Sequence, residues 1–354
     1  MISIIGAGPV GAYLAWKLAK EGEEVRLFEE HANIGRPVQC AGIVSKNIRN
    51  FVRIDKEFVL NVIKGARIYS PNGECFEING NNEAYILDRA KFDNYLVEKA
   101  LDENAELYLG YKFLSRENGN LIFDRGGFKT DILVGADGPL SPVAKNAEMF
   151  NNRKNLIGIQ VRAFLERDSD FAELYFGEEF PGFFGWVIPE GKGICRIGIA
   201  GEEVSNNFNK FLRRFSPLKI IEKQGGLIPV YNRDIQIQKD NVFLVGDAAA
   251  QNKATTGGGI VFGLKAAKIL VECLVDNKNY EKEIRSKLKK DLDMNLKIRS
   301  ILNKFDNEKY NSLIKLLNQD KIKEFFVSNG DMDYPTKFGF GLAIREPRLL
   351  KFLF

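Results

Sequence analysis

Histidine and cysteine are scarce in this chain of 354 residues, which removes most hydrolytic and metal chemistry from consideration. The single histidine is His31, and the four cysteines, Cys40, Cys75, Cys195 and Cys273, stand far apart with no C-x-x-C pair. That spacing supplies neither a disulfide framework nor a zinc site, and a reducing, cytoplasmic setting is expected. One histidine without neighbouring ligands leaves few ways to build a metal centre or a Ser-His-Asp or Cys-His engine, so no metal is expected. An excess of one charge is missing too. The 51 basic residues face 47 acidic ones, a formal +4 spread along the chain, which gives no reason to expect nucleic acid as a partner. Long apolar runs are absent: Ile260–Val275 is interrupted by Lys265, Lys268 and Glu272, so no membrane span is expected, and a strand starting at Ile2 leaves no room for a leader peptide. What remains is an ordinary globular balance, 45% hydrophobic and 28% charged, in a chain long enough for two closely packed domains.

Glycine is what this chain has in informative places. Residues 2–5 predict a short buried strand, followed at once by Gly6-Ala7-Gly8-Pro9-Val10-Gly11 and by apolar residues at helical spacing over 12–21. Gly6, Gly8 and Gly11, with Pro9 between them, permit a tight turn and close approach of backbone to a pyrophosphate, and the helix N-terminus offers it free N–H groups. A dinucleotide is the natural ligand. The second predicted strand, 24–28, ends in Glu29, placed 18 residues after Gly11, where a carboxylate can accept hydrogen bonds from a ribose diol. The motif alone does not separate NAD from FAD, and a solvated strand end is the other reading of Glu29.

Two later segments repeat the plan. A predicted buried strand leads into Gly135-Ala136-Asp137-Gly138, with Pro139 and Ser141 behind it. Residues 241–245 lead into Gly246-Asp247-Ala248-Ala249, and Thr255-Thr256-Gly257-Gly258-Gly259 then opens a helix over Ile260–Val275. Taken singly, Asp137 and Asp247 could be turn residues capping local backbone. Together, in this order and spacing, the three segments resemble the FAD-binding signature of the para-hydroxybenzoate hydroxylase superfamily. The resemblance implies an α/β fold: a Rossmann-like FAD-binding domain, an inserted and mainly antiparallel β-sheet substrate domain, and a C-terminal helical region. It implies FAD as cofactor, with Asp247 on the ribitol chain and Asp137 and Gly138 near the pyrophosphate and ribityl region. Gly246, Gly257, Gly258, Gly259 and Ile260 would bring backbone amides and a helix N-terminus to the isoalloxazine edge, where reduced flavin carries negative charge. Leu87-Asp88-Arg89-Ala90-Lys91-Phe92-Asp93 resembles the superfamily's Arg and Phe-Asp element, which implies Arg89 beside FAD; a helix N-terminus capped by Asp88 is the alternative.

Three further stretches, Ile34-Gly35-Arg36-Pro37-Val38-Gln39-Cys40-Ala41-Gly42-Ile43-Val44-Ser45, Lys64-Gly65-Ala66-Arg67-Ile68-Tyr69 and Ala254-Thr255-Thr256-Gly257-Gly258-Gly259-Ile260, are similar to archaeal geranylgeranyl reductases. This resemblance covers nearly all of 1–275. It implies saturation of isolated double bonds in prenylated glycerolipids, with electrons from NADPH, NADH or ferredoxin. It places Arg36, Cys40 and Ala41 in a flavin-proximal loop, with Cys40 near the reacting carbons; an inert buried thiol is the other reading. The family usually has Pro where this chain has Ala254, and the basic residue expected after Ser141 appears as Lys145. Phe184-Gly185-Trp186-Val187-Ile188-Pro189 matches the family's aromatic-x-Trp-x-Phe-Pro signature except at Ile188, and Gly198 falls where a glycine is expected. Phe184 and Trp186 are therefore catalytic candidates. Alternation puts Phe184, Trp186 and Ile188 on one strand face, which suits either core or a greasy substrate tunnel. The hexamer also resembles the Trp-x-Trp-x-Ile-Pro motif of flavin-dependent halogenases, although no accompanying lysine is found. Two rivals stay open: a monooxygenase or halogenase on the same fold, and a non-catalytic electron-transfer flavoprotein.

The expected layout is a discontinuous FAD-binding domain at 1–60, 85–147 and 236–275, a sheet domain at 61–84 and 148–235, and charged amphipathic helices over 276–354, for example at 280–301 and 310–327. An active site between the first two is expected. No second G-x-G-x-x-G unit is visible, so no dedicated nicotinamide domain is predicted. The closing residues 345–354 mix basic and large apolar side chains, which suits peripheral contact with the inner face of a membrane or a packed tail equally.

Overall fold

A computed structural model describes residues 1–202, 204–337, 341–342 and 345–353; Phe354, the end of the basic-apolar tail, lies outside the described residues. The chain divides into two compact units, Met1–Val38 with Arg89–Asn155 and Ile228–Asp293, and Gln39–Asp88 with Leu156–Leu227 and Met294–Phe354.

In the first unit a six-stranded sheet runs in the order Gln238–Lys239, Val242–Leu244, Ile132–Gly135, Ile2–Ile5, Val25–Glu29, Glu106–Leu109. All neighbours are parallel except the first pair, which is antiparallel. Ile2, Ile4 and Ile5 are all buried, as a parallel sheet covered on both faces requires. The helix after the first strand spans Pro9–Lys20 and not 12–21, because Pro9 occupies a first helical position whose N–H would have no partner anyway. Its Ala12, Leu14, Ala15 and Leu18 are buried, and it packs on helices Arg89–Asp102 and Ile260–Val275.

The second unit is built on an eight-stranded sheet ordered Lys219–Val230, Lys154–Phe164, Ile194–Gly201, Gly185–Gly191, Phe171–Tyr175, Val59–Tyr69, Cys75–Leu87, Ile43–Ser45. It is mainly antiparallel, with Phe171–Tyr175 parallel to Val59–Tyr69. One face of its middle strands carries Val161, Ala163, Val187, Ile197 and Ile199, which close over Phe211 and Phe215 as an apolar core. The period of two sends Gln160, Arg162, Trp186 and Arg196 to the opposite face.

Most of the unit boundaries fall within about ten residues of the sequence expectation, and two depart further. The first unit's opening segment ends at Val38 and not at 60, because Ile43–Ser45 hydrogen-bonds along 84–86 and so joins the second sheet. The 276–354 segment is not a region of its own. Its start belongs to the first unit, where Tyr280 is fully buried and its hydroxyl donates to Leu244 O at 3.2 Å. The remainder belongs to the second unit. The long helices expected at 280–301 and 310–327 are each broken, into Tyr280–Lys287 and Lys289–Leu302, and into Asn307–Leu317 and Asp320–Asn329. The breaks fall at the buried cap Leu288 and at Gln319, whose extended backbone starts the next helix, and helical periodicity does not register so short an interruption. Among the described residues no helix is long and apolar enough to cross a membrane.

Candidate active site

The three glycine segments meet inside the first unit. Gly6 has φ +100°, and a Cβ there would lie 2.5 Å from Ala136 O; one on Gly11 would lie 1.9 Å from Gly6 O. Only glycine permits these approaches, which set the first turn against the Ala136-Asp137 turn. Cβ atoms on Gly246 and Gly263 would meet the Val10 side chain at 3.1 and 2.4 Å, so the third segment closes on the first as well. One on Gly259 would lie 2.8 Å from Asp247 Oδ1. Gly8 and Gly138 face open space, leaving backbone accessible where a pyrophosphate would lie.

Glu29 is anchored to this cradle. Its Oε2 accepts from Ala7 N at 2.9 Å, and its Oε1 accepts from His31 N at 3.0 Å with His31 Nδ1 at 2.6 Å. A carboxylate offers about four lone-pair positions, so capacity remains for ribose hydroxyls. Arg89 opens its helix and donates to Asp93 from Nε at 3.1 Å and Nη2 at 2.9 Å, an i,i+4 pair whose acid is buried. A Cβ on Gly35 would meet Ala90 Cα at 2.7 Å, which lays the segment before the exposed Arg36 on the start of that helix.

Asp137 and Asp247 differ in how they are held. Asp137 accepts from Ser141 Oγ at 2.6 Å and Val143 N at 2.9 Å, so it does cap the short helix Pro142–Asn146. No donor among the described residues reaches the Asp247 carboxylate. Burial pushes both acids up to about 6; hydrogen bonds from Ser141 and Val143 oppose this at Asp137, and the Arg89 guanidinium opposes it at Asp247. Close to Asp247, Asn252 Oδ1 and Thr256 Oγ1 are buried without a partner. Thr256 Oγ1 would lie 3.3 Å from a Cβ on Gly258, and Asn252 Cβ 3.5 Å from one on Gly259. Buried polar atoms without partners are rare. A bare glycine cradle lined with unmatched polar atoms fits a hydroxyl-rich dinucleotide such as FAD. The helix Ile260–Val275 starts at Gly259 with no side-chain cap and no acidic residue in its first turn, and Asp247 is the acid that lies beside this N-terminus.

The second unit gathers the other candidates. Cys40 and Ala41 are half-buried, and their carbonyls accept from Gln160 Nε2 at 3.1 Å and from Arg196 Nη1 at 2.5 Å. Gly42 N donates to Cys40 Sγ at 3.3 Å. Phe184 and Trp186 are both buried, with ring centroids 6.2 Å apart, and Phe184 stacks on Phe183 at 4.2 Å. Arg299 donates to Phe183 O at 3.2 Å and lies over the Phe183 ring at 4.7 Å, and burial pushes its pKa down to about 10. Gln160, Arg196 and Arg299 are absent from any sequence motif. Strand Lys154–Phe164 also carries Asn155 and Arg162, so the amide of Gln160 did not stand out in the sequence.

Residues 4–72 match the family described as an NAD(P)-binding Rossmann-like domain. A digeranylgeranylglycerophospholipid reductase of Methanosarcina acetivorans is 30% identical, over 91% of this chain and 89% of its own. The chain belongs to the digeranylgeranylglycerophospholipid reductase family. Another reductase of that name, from Methanosarcina mazei, is 29% identical over the same shares, 91% and 89%. A geranylgeranyl bacteriochlorophyll reductase-like protein of Thermoplasma acidophilum superposes with a TM-score of 0.88 at 23% identity, covering 100% of this chain and 98% of its own. A halogenase solved with FAD reaches 0.66 at 13% identity, covering 92% and 85%. At such identities these structures show a shared fold, which hosts reductases and halogenases alike. Membership of the reductase family makes the chain an oxidoreductase.

Proposed function

We propose that this protein is an FAD-dependent reductase that saturates the C=C bonds of geranylgeranyl chains in isoprenoid glycerolipids. The observation that carries the reading is the convergence of Gly6–Gly11, Asp137 and Asp247 on one cradle with unmatched buried acceptors; the substrate class follows the Methanosarcina reductases. In this reading Glu29 receives the ribose hydroxyls, the backbone of Gly6, Gly8, Pro9 and Gly11 approaches the pyrophosphate, and Asp137 and Asp247 accept from the ribityl side. Gly138, Gly246 and Gly257–Gly259 with Ile260 bring amides to the ring edge. Reduced FAD, when bound, supplies the hydride.

An isolated alkene is a poor hydride acceptor, so a proton has to reach one carbon as hydride reaches the other. Cys40, with its sulfur held by Gly42 N, is assigned to the reacting carbons. Phe184 and Trp186 keep that region dry and hold the chain by dispersion. Arg36, Ala41 and Arg89 are assigned to cofactor binding. Electrons come from NADPH, NADH or ferredoxin, and the lipid is taken from a membrane surface by peripheral contact, for which residues 345–354 are the candidate segment.

The test is anaerobic incubation of dithionite-reduced protein with a digeranylgeranyl glycerolipid, followed by mass spectrometry. A gain of two hydrogens per double bond, with reoxidation of the flavin, is expected. Reduced flavin that survives the lipid and reacts only with dioxygen or a protein acceptor overturns the reading.

A further inference from the structure

We infer that Gln160 is a positioning residue for the reduction, tying the Trp186 indole to the Cys40 loop across a face of the second unit's sheet. The inference rests on the proposed placement of Cys40 and Trp186 at the reacting alkene.

The geometry begins with register. Trp186 stands opposite Gly198, and Gly198 opposite Gln160, so the three form a transverse row over adjacent antiparallel strands. Residues directly opposite share a face and are about 5 Å apart at Cβ, so side chains two strands apart touch only over an empty middle position. Gly198 is that position. A Cβ there would lie 2.4 Å from Trp186 Cζ2 and 2.6 Å from Gln160 Cβ, showing that the indole lies over the glycine. Trp186 Nε1 donates to Gln160 Oε1 at 3.1 Å. Gln160 Nε2 donates to Cys40 O at 3.1 Å and to Gln224 Oε1 at 2.6 Å. These partners fix the amide's orientation, since reversing it would face N–H with N–H and oxygen with oxygen. The next carbonyl, Ala41 O, is held by Arg196, itself 3% exposed and paired with Glu190, which also receives a bidentate contact from Arg162. The sheet thus fixes two successive carbonyls of the Cys40 loop, and Gly42 N sets the sulfur.

A side chain of similar size without an amide would fill the same space. What only Gln160 does here is hold the indole and the Cys40 carbonyl in one orientation. Satisfied buried networks of this kind specify a unique arrangement.

The experiment uses the FAD-loaded full chain with Gln160→Met, Gln160→Glu and Cys40→Ser. Readouts are FAD content, kcat and KM, and the rate of Cys40 alkylation by iodoacetamide followed on its own peptide. Gln160→Met removes all three hydrogen bonds. It is expected to bind FAD as the parent does, to lower kcat about tenfold or more with a smaller change in KM, and to change Cys40 alkylation severalfold. Gln160→Glu, ionised, keeps the acceptor for Trp186 and loses both donors; protonated, its O–H can again donate to Cys40 O. Its kcat relative to the parent is therefore expected to rise as pH falls, a rescue that a space-filling role would not give. Full kcat and unchanged alkylation in Gln160→Met with FAD bound overturn the inference. Should Gln160→Met fail to hold FAD, the Gln160→Glu profile decides, and a flat ratio to the parent overturns it. Cys40→Ser separates the two readings. Full activity in that variant refutes the role of Cys40, while altered alkylation in Gln160→Met still shows whether Gln160 governs the loop.

Discussion

The nucleotide-binding unit leaves Asn252 Oδ1 and Thr256 Oγ1 buried beside bare glycines, near a half-buried Asp247 that no donor among the described residues reaches, whereas in the sheet unit Trp186, Gln160 and Gln224 form one hydrogen-bonded group and Arg196, Glu190 and Arg162 another, each tied to the Cys40 loop. The first arrangement is costly until a ligand supplies the missing partners. The second is already satisfied, with Phe184 and Trp186 buried beside it and Cys40 half-buried. In the proposed reading a polar cofactor completes the first, and the second needs no further polar partner.

The harshest way to break the contrast is Gly11→Val. Its side chain would start 1.9 Å from Gly6 O, which no rotamer relieves, so the turn must open. A colourless protein with its first unit destabilised by about 4 kcal/mol is expected from flavin absorbance and urea denaturation.

Asp247→Asn sharpens the contrast by giving effects of opposite sign. FAD affinity is expected to fall roughly 10- to 100-fold in titration calorimetry, the size of one or two lost charge-assisted hydrogen bonds. The flavin-free variant should nevertheless gain stability at neutral pH. An acid raised to about 6 on folding binds its proton more tightly when folded, so its contribution favours folding at low pH and is lost as pH rises from about 4 through 6. Two pKa units correspond to about 3 kcal/mol as an upper bound. The denaturation midpoint of the flavin-free parent should therefore fall over that window, and the variant should show a shallower fall.

The smallest expected effect is His31→Gln. The ring is 45% exposed, and Glu29 keeps its bonds from Ala7 N and His31 N. A change in FAD affinity within about threefold follows, as for exposed pairs generally.

Legibility in the sequence tracks the same contrast. Gly6, Gly11 and Gly259 were readable because close approach of neighbouring atoms demands glycine at fixed spacing next to a strand and a helix. The place of Glu29 beside the first turn was readable from its distance to Gly11, and its Oε2 accepts from Ala7 N. For Asp137 the turn reading is the one seen, since its Oδ2 accepts from Val143 N at the start of Pro142–Asn146; its part in holding a cofactor belongs to the proposal. The Gln160 row could not be read. Its partners lie 26, 64 and 120 residues away and meet only through sheet register, which one strand's pattern does not encode. Gly198 was visible as an expected glycine, but its reason, an indole lying across it, belongs to the neighbouring strands. The segment 39–60 was misassigned because its short strand Ile43–Ser45 finds its partner in Cys75–Leu87, beyond any local signal.

The central claim is that three remote glycine turns enclose one flavin dinucleotide. The most direct measurement is the visible spectrum of the purified protein with chromatographic identification of what heat denaturation releases. The account predicts a yellow protein releasing one FAD per chain, and a colourless protein that takes up no FAD on incubation would contradict it.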